Sequence, residues 1–139
     1  MYDPRLVQPM RQELINAGFE ELLTPEQVEA VLNQKKGTVF LVINSVCGCA
    51  AGSARPGVKY ALQNARVKPD KLVTVFAGQD KAATEKAREY LVPIPPSSPS
   101  MYLFKDGQLV HVIERRHIEG TLPQVLADNL IGAFEMYCN

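Results

Sequence analysis

The sequence has no excess of charge of either sign, because 15 Lys and Arg residues are matched by 15 Asp and Glu residues. A chain with zero formal net charge has no general attraction for phosphate backbones or anionic membranes, which argues against nucleic-acid and membrane-surface binding. Its apolar runs are too short to cross a bilayer, so no transmembrane helix is expected. The N-terminus lacks a basic segment followed by an apolar stretch, which predicts a cytoplasmic protein without a signal peptide.

The sequence is also poor in cysteine, with three thiols, and it contains no tryptophan. Three unevenly placed cysteines are too few for the disulfide framework of a small secreted protein. Two of them, Cys47 and Cys49, are separated only by Gly48. In a reducing compartment such a pair indicates a chemically active site more than a structural disulfide. Cys138 stands one residue from the C-terminus, where an inert thiol is favoured over a resolving partner or a site of intermolecular pairing.

The strands are predicted by runs of β-branched and aromatic residues. The 139 residues carry no repeat, low-complexity tract or linker, so a single domain over 1–139 is expected. Continuous apolar runs predict buried strands over 38–44 and 72–77. An Asp-Gly turn after Lys105 predicts a hairpin between strands over 100–104 and 108–113.

The helices are predicted by apolar residues at helical spacing. The first begins at an Asp3–Pro4 cap and ends at Gly18, and a second begins at Thr24. The last helix, at the C-terminal end of the chain, is expected to bury an apolar stripe of Leu122, Val125, Leu126, Leu130, Ile131 and Phe134. Three helices are expected over 50–66 (with Pro56 placed to kink it), 80–91 and 121–137. The alternation of strands and helices predicts an α/β fold with a central mixed β-sheet flanked by helices.

The Cys-Gly-Cys motif falls between the end of a predicted central strand and the start of a helix. Ligand and catalytic groups of open α/β sheets gather at such strand ends. A helix N-terminus stabilises a thiolate, which is the attacking species in disulfide exchange, and Gly48 allows the short link to turn. The position and the composition of the motif therefore favour a reactive dithiol at Cys47 and Cys49.

Two other interpretations of the cysteines stay open. Cys47 and Cys49 would be inert if they packed in the core as small hydrophobes, but their small and polar neighbours argue against this. A non-enzymatic metal-binding module would use both with Cys138 and with His111 or His117, although a Cys-x-Cys spacing is tighter than the usual zinc pairs. No metal and no cofactor are expected under the favoured interpretation.

Beyond a cluster of prolines, the stretch 98–107 resembles the cis-proline loop, hairpin strand and Lys-x-Gly turn of the thioredoxin superfamily. The order of elements also resembles a thioredoxin-like fold with an extra N-terminal helix. The resemblance implies that Pro99 is cis and faces the dithiol, and that Ser98 offers backbone groups to a bound substrate. Gly48, Ser98 and Pro99 are therefore the expected substrate-binding residues.

Three segments together resemble the bacilliredoxin family over essentially the full chain. They are Tyr2-Asp3-Pro4, the run from Asn44 to Gly52 with Arg55-Pro56 after it, and the run from Arg115 to Gly120. The resemblance implies an enzyme that removes bacillithiol, or another low-molecular-weight thiol, from mixed disulfides on client proteins. It also implies weak disulfide isomerase or reductase activity.

By this resemblance, Cys47 takes the bacillithiol from the client, and Cys49 then releases it and forms an intramolecular disulfide. The motif departs from ordinary thioredoxins in having one intervening residue and no preceding tryptophan. A smaller and more strained ring has a more oxidising potential, so we expect a poor reductant of stable protein disulfides. Arg115, Arg116 and His117 either attract an anionic thiol or form a solvated edge that discourages strand pairing, and the second interpretation is favoured.

Overall fold

The computed structural model describes residues 1–139. The Asp3 carboxylate caps the first helix by accepting a hydrogen bond from the backbone N–H of Arg5, as the Asp-Pro sequence predicts. In chain order the elements are α1 (Pro4–Asn16), β1 (Glu20–Glu21), α2 (Pro25–Leu32), β2 (Thr38–Asn44), a π-helical segment (Ala50–Ala54), α3 (Arg55–Asn64), β3 (Lys71–Phe76), α4 (Lys81–Glu89), β4 (Ser100–Lys105), β5 (Gln108–Ile113), α5 (Arg115–Ile118) and α6 (Pro123–Tyr137).

The five strands form one mixed sheet in the order β1-β3-β2-β4-β5. All seven residues of β2 are buried, as expected for a central strand covered on both faces. β2 runs parallel to β3 and antiparallel to β4, so that Asn44 pairs with Phe76 and Ile43 pairs with Ser100. The ends of β2 and β3 therefore meet the start of β4 at one edge of the sheet, which we call the carboxyl edge.

Two apolar clusters cover the two faces of the sheet, because successive side chains of β2 point to opposite sides. Phe40 and Val42 face the layer of α1, α3 and α6, where the Phe40 and Phe134 rings lie edge to face with centroids 5.2 Å apart. Leu41 and Ile43 face the layer of α2 and α4. None of the helices combines the length and apolar character needed to cross a membrane.

The predicted mixed sheet and hairpin are confirmed. The hairpin turn has positive φ at Asp106 (51°) and Gly107 (83°), the conformation that a two-residue type I′ turn requires. The predicted helix over 50–66 is present as the π-helical segment followed by α3. Pro56 lies in the first turn of α3 and does not kink its interior, because the first turn needs no N–H from that residue.

The predicted apolar stripe of the last helix is wrong at its N-terminal end. Leu122 precedes α6 and is 69% exposed, and Val125 is 57% exposed. The buried stripe instead starts at Leu126, which packs against α3 at Gly57. A Cβ at Gly57 would lie 3.0 Å from Leu126 Cδ2, so the close approach of the two helices fixes which side of α6 is buried. Val125 is turned away from that contact.

Candidate active site

The dithiol lies at the carboxyl edge, between the end of β2 and the start of the following helix, as predicted. The backbone N–H of Cys47 donates a hydrogen bond to Ser45 Oγ at 3.0 Å. The carbonyl of Cys47 accepts a hydrogen bond from the backbone N–H of Ala50 at 2.9 Å. These contacts fix Cys47 at the boundary between loop and helix, and they place Cys49 in the first helical turn.

The two thiols of the motif are held in different electrostatic environments. Their Sγ atoms lie 2.8 Å apart and both cysteines are free. The hydrogen bond from Cys49 lowers the pKa of Cys47, and the Arg115 guanidinium acts in the same direction. Burial raises the pKa of Cys49, and the neighbouring Cys47 sulfur raises it further. The site therefore favours a Cys47 thiolate that accepts a hydrogen bond from the Cys49 thiol.

The loop before β4 reaches the same edge of the sheet. The Ser98–Pro99 peptide bond is cis, as the thioredoxin resemblance implies, and Pro99 is buried. Ser98 shares a groove with Cys47, and its carbonyl accepts a long hydrogen bond of 3.4 Å from Arg115 Nη1. Gly48 is exposed between the two cysteines, with open space where a Cβ would be.

A groove of about 450 Å³ opens beside Cys47 at the carboxyl edge. Its only ionisable cations are Arg88 from α4 and Arg115 from α5, and no carboxylate lines it. Neither Cys49, Gly48 nor Pro99 lines the groove. The lining residues are Tyr2, Ser45, Val46, Cys47, Ala77, Gly78, Arg88, Ser98 and Arg115.

The run that begins at Arg115 is exposed, as the favoured interpretation of a solvated edge predicts, but Arg115 also lines the groove. Residues Arg115–Ile118 form a short helix, and Arg115 turns toward the groove and the dithiol. Arg88 is not identifiable from the sequence, because one arginine in an Ala-, Glu- and Lys-rich helix carries no pattern that marks it. Only the packing of α4 beside the carboxyl edge brings it to the groove that Cys47 lines.

A buried arginine supports the loop that carries the dithiol. Arg55 is 2% exposed, and its Nε donates to Glu13 Oε2 at 2.8 Å. Its Nη1 donates to Asn44 Oδ1 and to the Ser45 carbonyl, both at 2.9 Å. Because Ser45 Oγ in turn accepts from the backbone N–H of Cys47, the guanidinium links α1 and α3 to the backbone that positions Cys47. The sequence contains Arg55-Pro56, but nothing in it indicates this set of partners.

Cys138 does not belong to the site. It lies beside Thr38, the first residue of β2, whereas the dithiol follows the last residue of that strand. Strand geometry of about 3.3 Å per residue separates the two ends by about 20 Å. The resolving role for Cys138, left open by the sequence, therefore does not fit this fold.

The donor set of the zinc hypothesis is not assembled either. His111 is hydrogen-bonded to Asn129 at 2.7 Å, and His117 Nδ1 accepts from the backbone N–H of Glu114 at 3.1 Å. No group of three or more His, Cys, Asp or Glu side chains converges on a common point. With Cys138 at the other end of β2, the four ligands of the zinc alternative are not brought together.

Two solved thioredoxins share the fold of this chain at low sequence identity. Thioredoxin O2 from Arabidopsis thaliana, in its oxidized state, aligns with a TM-score of 0.59 and 13% identity, covering 89% of this chain and 97% of that one. The thioredoxin of Malassezia sympodialis aligns with a TM-score of 0.58 and 18% identity, covering 88% and 92%. The predicted thioredoxin-like fold is therefore confirmed.

The sequence comparisons are much closer. A family model described as "Disulphide isomerase" matches residues 2–138. A bacilliredoxin of Salinibacter ruber is 56% identical over 138 residues, which is 99% of this chain and 81% of that protein. Bacilliredoxins of Geobacillus kaustophilus (55% identity, 99% of this chain, 94% of the relative) and Cytophaga hutchinsonii (58% identity, 94% and 95%) are equally similar. Matches at this level over nearly the whole chain mean that it belongs to the bacilliredoxin family of thiol-disulfide oxidoreductases.

Proposed function

We propose that this oxidoreductase removes bacillithiol from mixed disulfides on client proteins, with Cys47 as the nucleophile and Cys49 as the resolving cysteine. The observation that carries the proposal is the asymmetry of the dithiol. Cys47 lines an open groove and has a lowered pKa, whereas Cys49 is kept out of the groove and has a raised pKa. The names of the relatives supply the substrate class.

The first step is a thiol-disulfide exchange at Cys47. Its thiolate attacks the bacillithiol sulfur of the mixed disulfide, and the bond between that sulfur and the client sulfur breaks. The client leaves as a thiolate and takes a proton from water, while bacillithiol becomes disulfide-bonded to Cys47. The open side of Cys47 receives the substrate, and the exposed Gly48 next to it leaves room for the client chain.

The second step uses Cys49. Once Cys47 is in a disulfide, it carries no negative charge. The Cys47 sulfur therefore no longer raises the pKa of Cys49 through that charge. The Cys49 thiol gives its proton to water, and the resulting thiolate attacks Cys47 Sγ, which lies 2.8 Å away in the reduced protein. Bacillithiol departs as a thiolate, a Cys47–Cys49 disulfide forms, and an external dithiol reductant must regenerate the protein.

The loop at Ser98 and Pro99 is proposed as the docking point for the client backbone. Ser98 lines the same groove as Cys47, and its carbonyl is 3.4 Å from Arg115 Nη1, which belongs to a second lining residue. Extended backbone of a client would pair there with the main chain before β4.

A second candidate function is disulfide isomerisation or reduction with another low-molecular-weight thiol, and the description of the matching family model favours it. In both functions Cys47 attacks first, and the functions differ in which group is left disulfide-bonded to Cys47. Isomerisation needs a Cys47–client disulfide, whereas bacillithiol removal needs a Cys47–bacillithiol disulfide.

Intact-protein mass spectrometry tests the main proposal. Reduced protein is incubated with a client carrying a single bacillithiol, and the mass of each species is followed. Wild type is expected to lose two hydrogens while the client loses its bacillithiol, and the Cys138→Ser variant is expected to behave identically. Unchanged masses with fully reduced protein would reject this substrate, and turnover of a scrambled-disulfide protein would then support the isomerase.

We also propose a cytoplasmic location. The proposed cycle begins from the reduced dithiol of Cys47 and Cys49. A reducing compartment keeps thiols in that state.

A further inference from the structure

Arg88 differs from every other arginine of the chain in having no acidic partner. The other arginines each form an ion pair, at 3.5 Å or less, with an aspartate or glutamate. These arginines are Arg5, Arg11, Arg55, Arg66, Arg115 and Arg116. The Nε of Arg88 is buried and has no hydrogen-bond partner. A buried guanidinium donor without a partner costs free energy, so an unpaired arginine needs an explanation.

The unpaired guanidinium lies in the groove that contains the nucleophile. Arg115 lines the same groove, and although its Nε is bonded to Glu119, its Nη1 makes only the long contact with Ser98. No carboxylate lines the groove, and of its two arginines Arg115 is ion-paired with Glu119 while Arg88 has no acidic partner. Guanidinium groups bind carboxylates in a bidentate geometry, which makes a carboxylate the matching ligand.

The groove also has the size and walls of a small-molecule site. Its volume of about 450 Å³ falls within the range of about 300–1,000 Å³ typical of ligand pockets. One wall is the Tyr2 ring, which packs against Gly78. The backbone of Tyr2 is held by both ends of the Gln79 amide, at 2.8 and 3.2 Å. The wall is therefore fixed by contacts that do not involve Cys47 or Arg88.

We infer that this groove is a subsite for a carboxylate of the low-molecular-weight thiol, with Arg88 as its principal binding residue and Arg115 as the second. The inference rests on the proposed function, since it places the transferred thiol in the groove after its sulfur bonds to Cys47. It predicts that the protein discriminates between small thiols by charge. An anionic thiol would supply the partner that Arg88 lacks.

The test uses one client protein carrying three different small thiols: bacillithiol, mercaptosuccinate with two carboxylates, and neutral 2-mercaptoethanol. Rate constants for transfer to Cys47 are measured in a Cys49→Ser background, where the adduct accumulates. Arg88→Gln is expected to lower the ratio of anionic to neutral rate constants about tenfold, the value of one lost charge-assisted hydrogen bond. Arg116→Gln, an exposed arginine outside the groove, is the matched control with an unchanged ratio.

A loss of equal size for all three thiols would overturn the inference, because Arg88 would then recognise the client or support the fold. An unchanged ratio would overturn it as well. Arg88 is the better probe than Arg115, since Arg115 also lowers the pKa of Cys47 and its removal would slow every thiol. If wild type transfers mercaptosuccinate but not bacillithiol, the proposed substrate fails while the charge preference is still measured.

A binding measurement covers the case in which no mixed disulfide reacts. Cys47 is alkylated with neutral iodoacetamide in the presence of the unreactive S-methyl derivative of mercaptosuccinate. The mercaptosuccinate derivative is expected to slow the alkylation of Cys47 in wild type and in Arg116→Gln, but not in Arg88→Gln. The S-methyl derivative of 2-mercaptoethanol is expected to give no protection in any of them. Absence of protection in wild type, or equal protection in Arg88→Gln, would contradict the subsite whatever the reaction catalysed.

Discussion

The two ends of β2 hold cysteines of opposite character. At the carboxyl edge, Cys47 is partly exposed, receives a hydrogen bond from Cys49 and lies near the Arg115 guanidinium, so its pKa is lowered. At the other end, burial raises the pKa of Cys138, and the charge of Asp70 raises it further. The environments therefore favour the thiolate at one end of the strand and the neutral thiol at the other. Reactivity is a property of the position, set by donors, burial and charge.

Loss of the nucleophile is expected to produce the largest difference between the two ends. Cys47→Ser should reduce the rate of small-thiol removal from a client to below about one thousandth of wild type, because a serine hydroxyl is not ionised at neutral pH. Cys138→Ser should retain the wild-type rate. Single-turnover release of the small thiol measures both. Comparable losses in the two variants would mean that Cys138 takes part in turnover.

The hydrogen bonds of Arg55, which support the loop that carries the dithiol, are expected to stabilise the folded protein. Arg55→Met removes a buried guanidinium and leaves Asn44 and Glu13 without their partner, at a cost of about 2–4 kcal/mol in the free energy of unfolding. The matched control is Arg66→Met, which removes an exposed arginine 3.5 Å from Glu135 and should cost less than about 0.5 kcal/mol. Urea unfolding of both variants measures the difference. Equal losses in the free energy of unfolding would mean that Arg55 does not support the fold.

The pH dependence of alkylation compares the thiols directly. In wild-type protein, the rate of iodoacetamide labelling at Cys47 should rise with a midpoint below the ordinary cysteine pKa, whereas the midpoint at Cys138 should lie above it. At neutral pH the thiolate fraction and the exposure both favour Cys47, by at least about tenfold in rate. Peptide mass mapping separates the sites. Coincident midpoints would mean that their environments are equivalent.

A smaller effect separates the causes of the low pKa of Cys47. Cys49→Ala removes the hydrogen-bond donor, which is the largest cause, so the labelling midpoint of Cys47 should rise. Arg115→Gln removes one nearby positive charge and should also raise the midpoint, but by less, because that charge is a lesser cause. High salt should weaken the Arg115 contribution and leave that of Cys49. The reverse order of the two shifts would assign the activation to the field of the groove.

Much of the fold was predictable because it depends on local patterns. The apolar run at 38–44 identified the central strand, the Asp-Gly pair identified the hairpin, and the strand-to-helix junction placed the dithiol. Arg88 and Arg55 were not predictable, since their roles depend on which elements pack beside them. The exposure of Val125 was missed for the same reason: helical spacing defines an apolar stripe, and only the contact at Gly57 decides its limits.

The division of labour between Cys47 and Cys49 is tested most directly by locating the trapped adduct. Cys49→Ser is incubated with the bacillithiolated client, and the adduct is mapped by peptide mass spectrometry without reduction. One bacillithiol on Cys47, with Cys138 unmodified, is the expected result, together with little adduct in the Cys47→Ser variant. An adduct that forms on Cys49 in Cys47→Ser as fast as on Cys47 in Cys49→Ser would contradict the roles assigned to the two thiols.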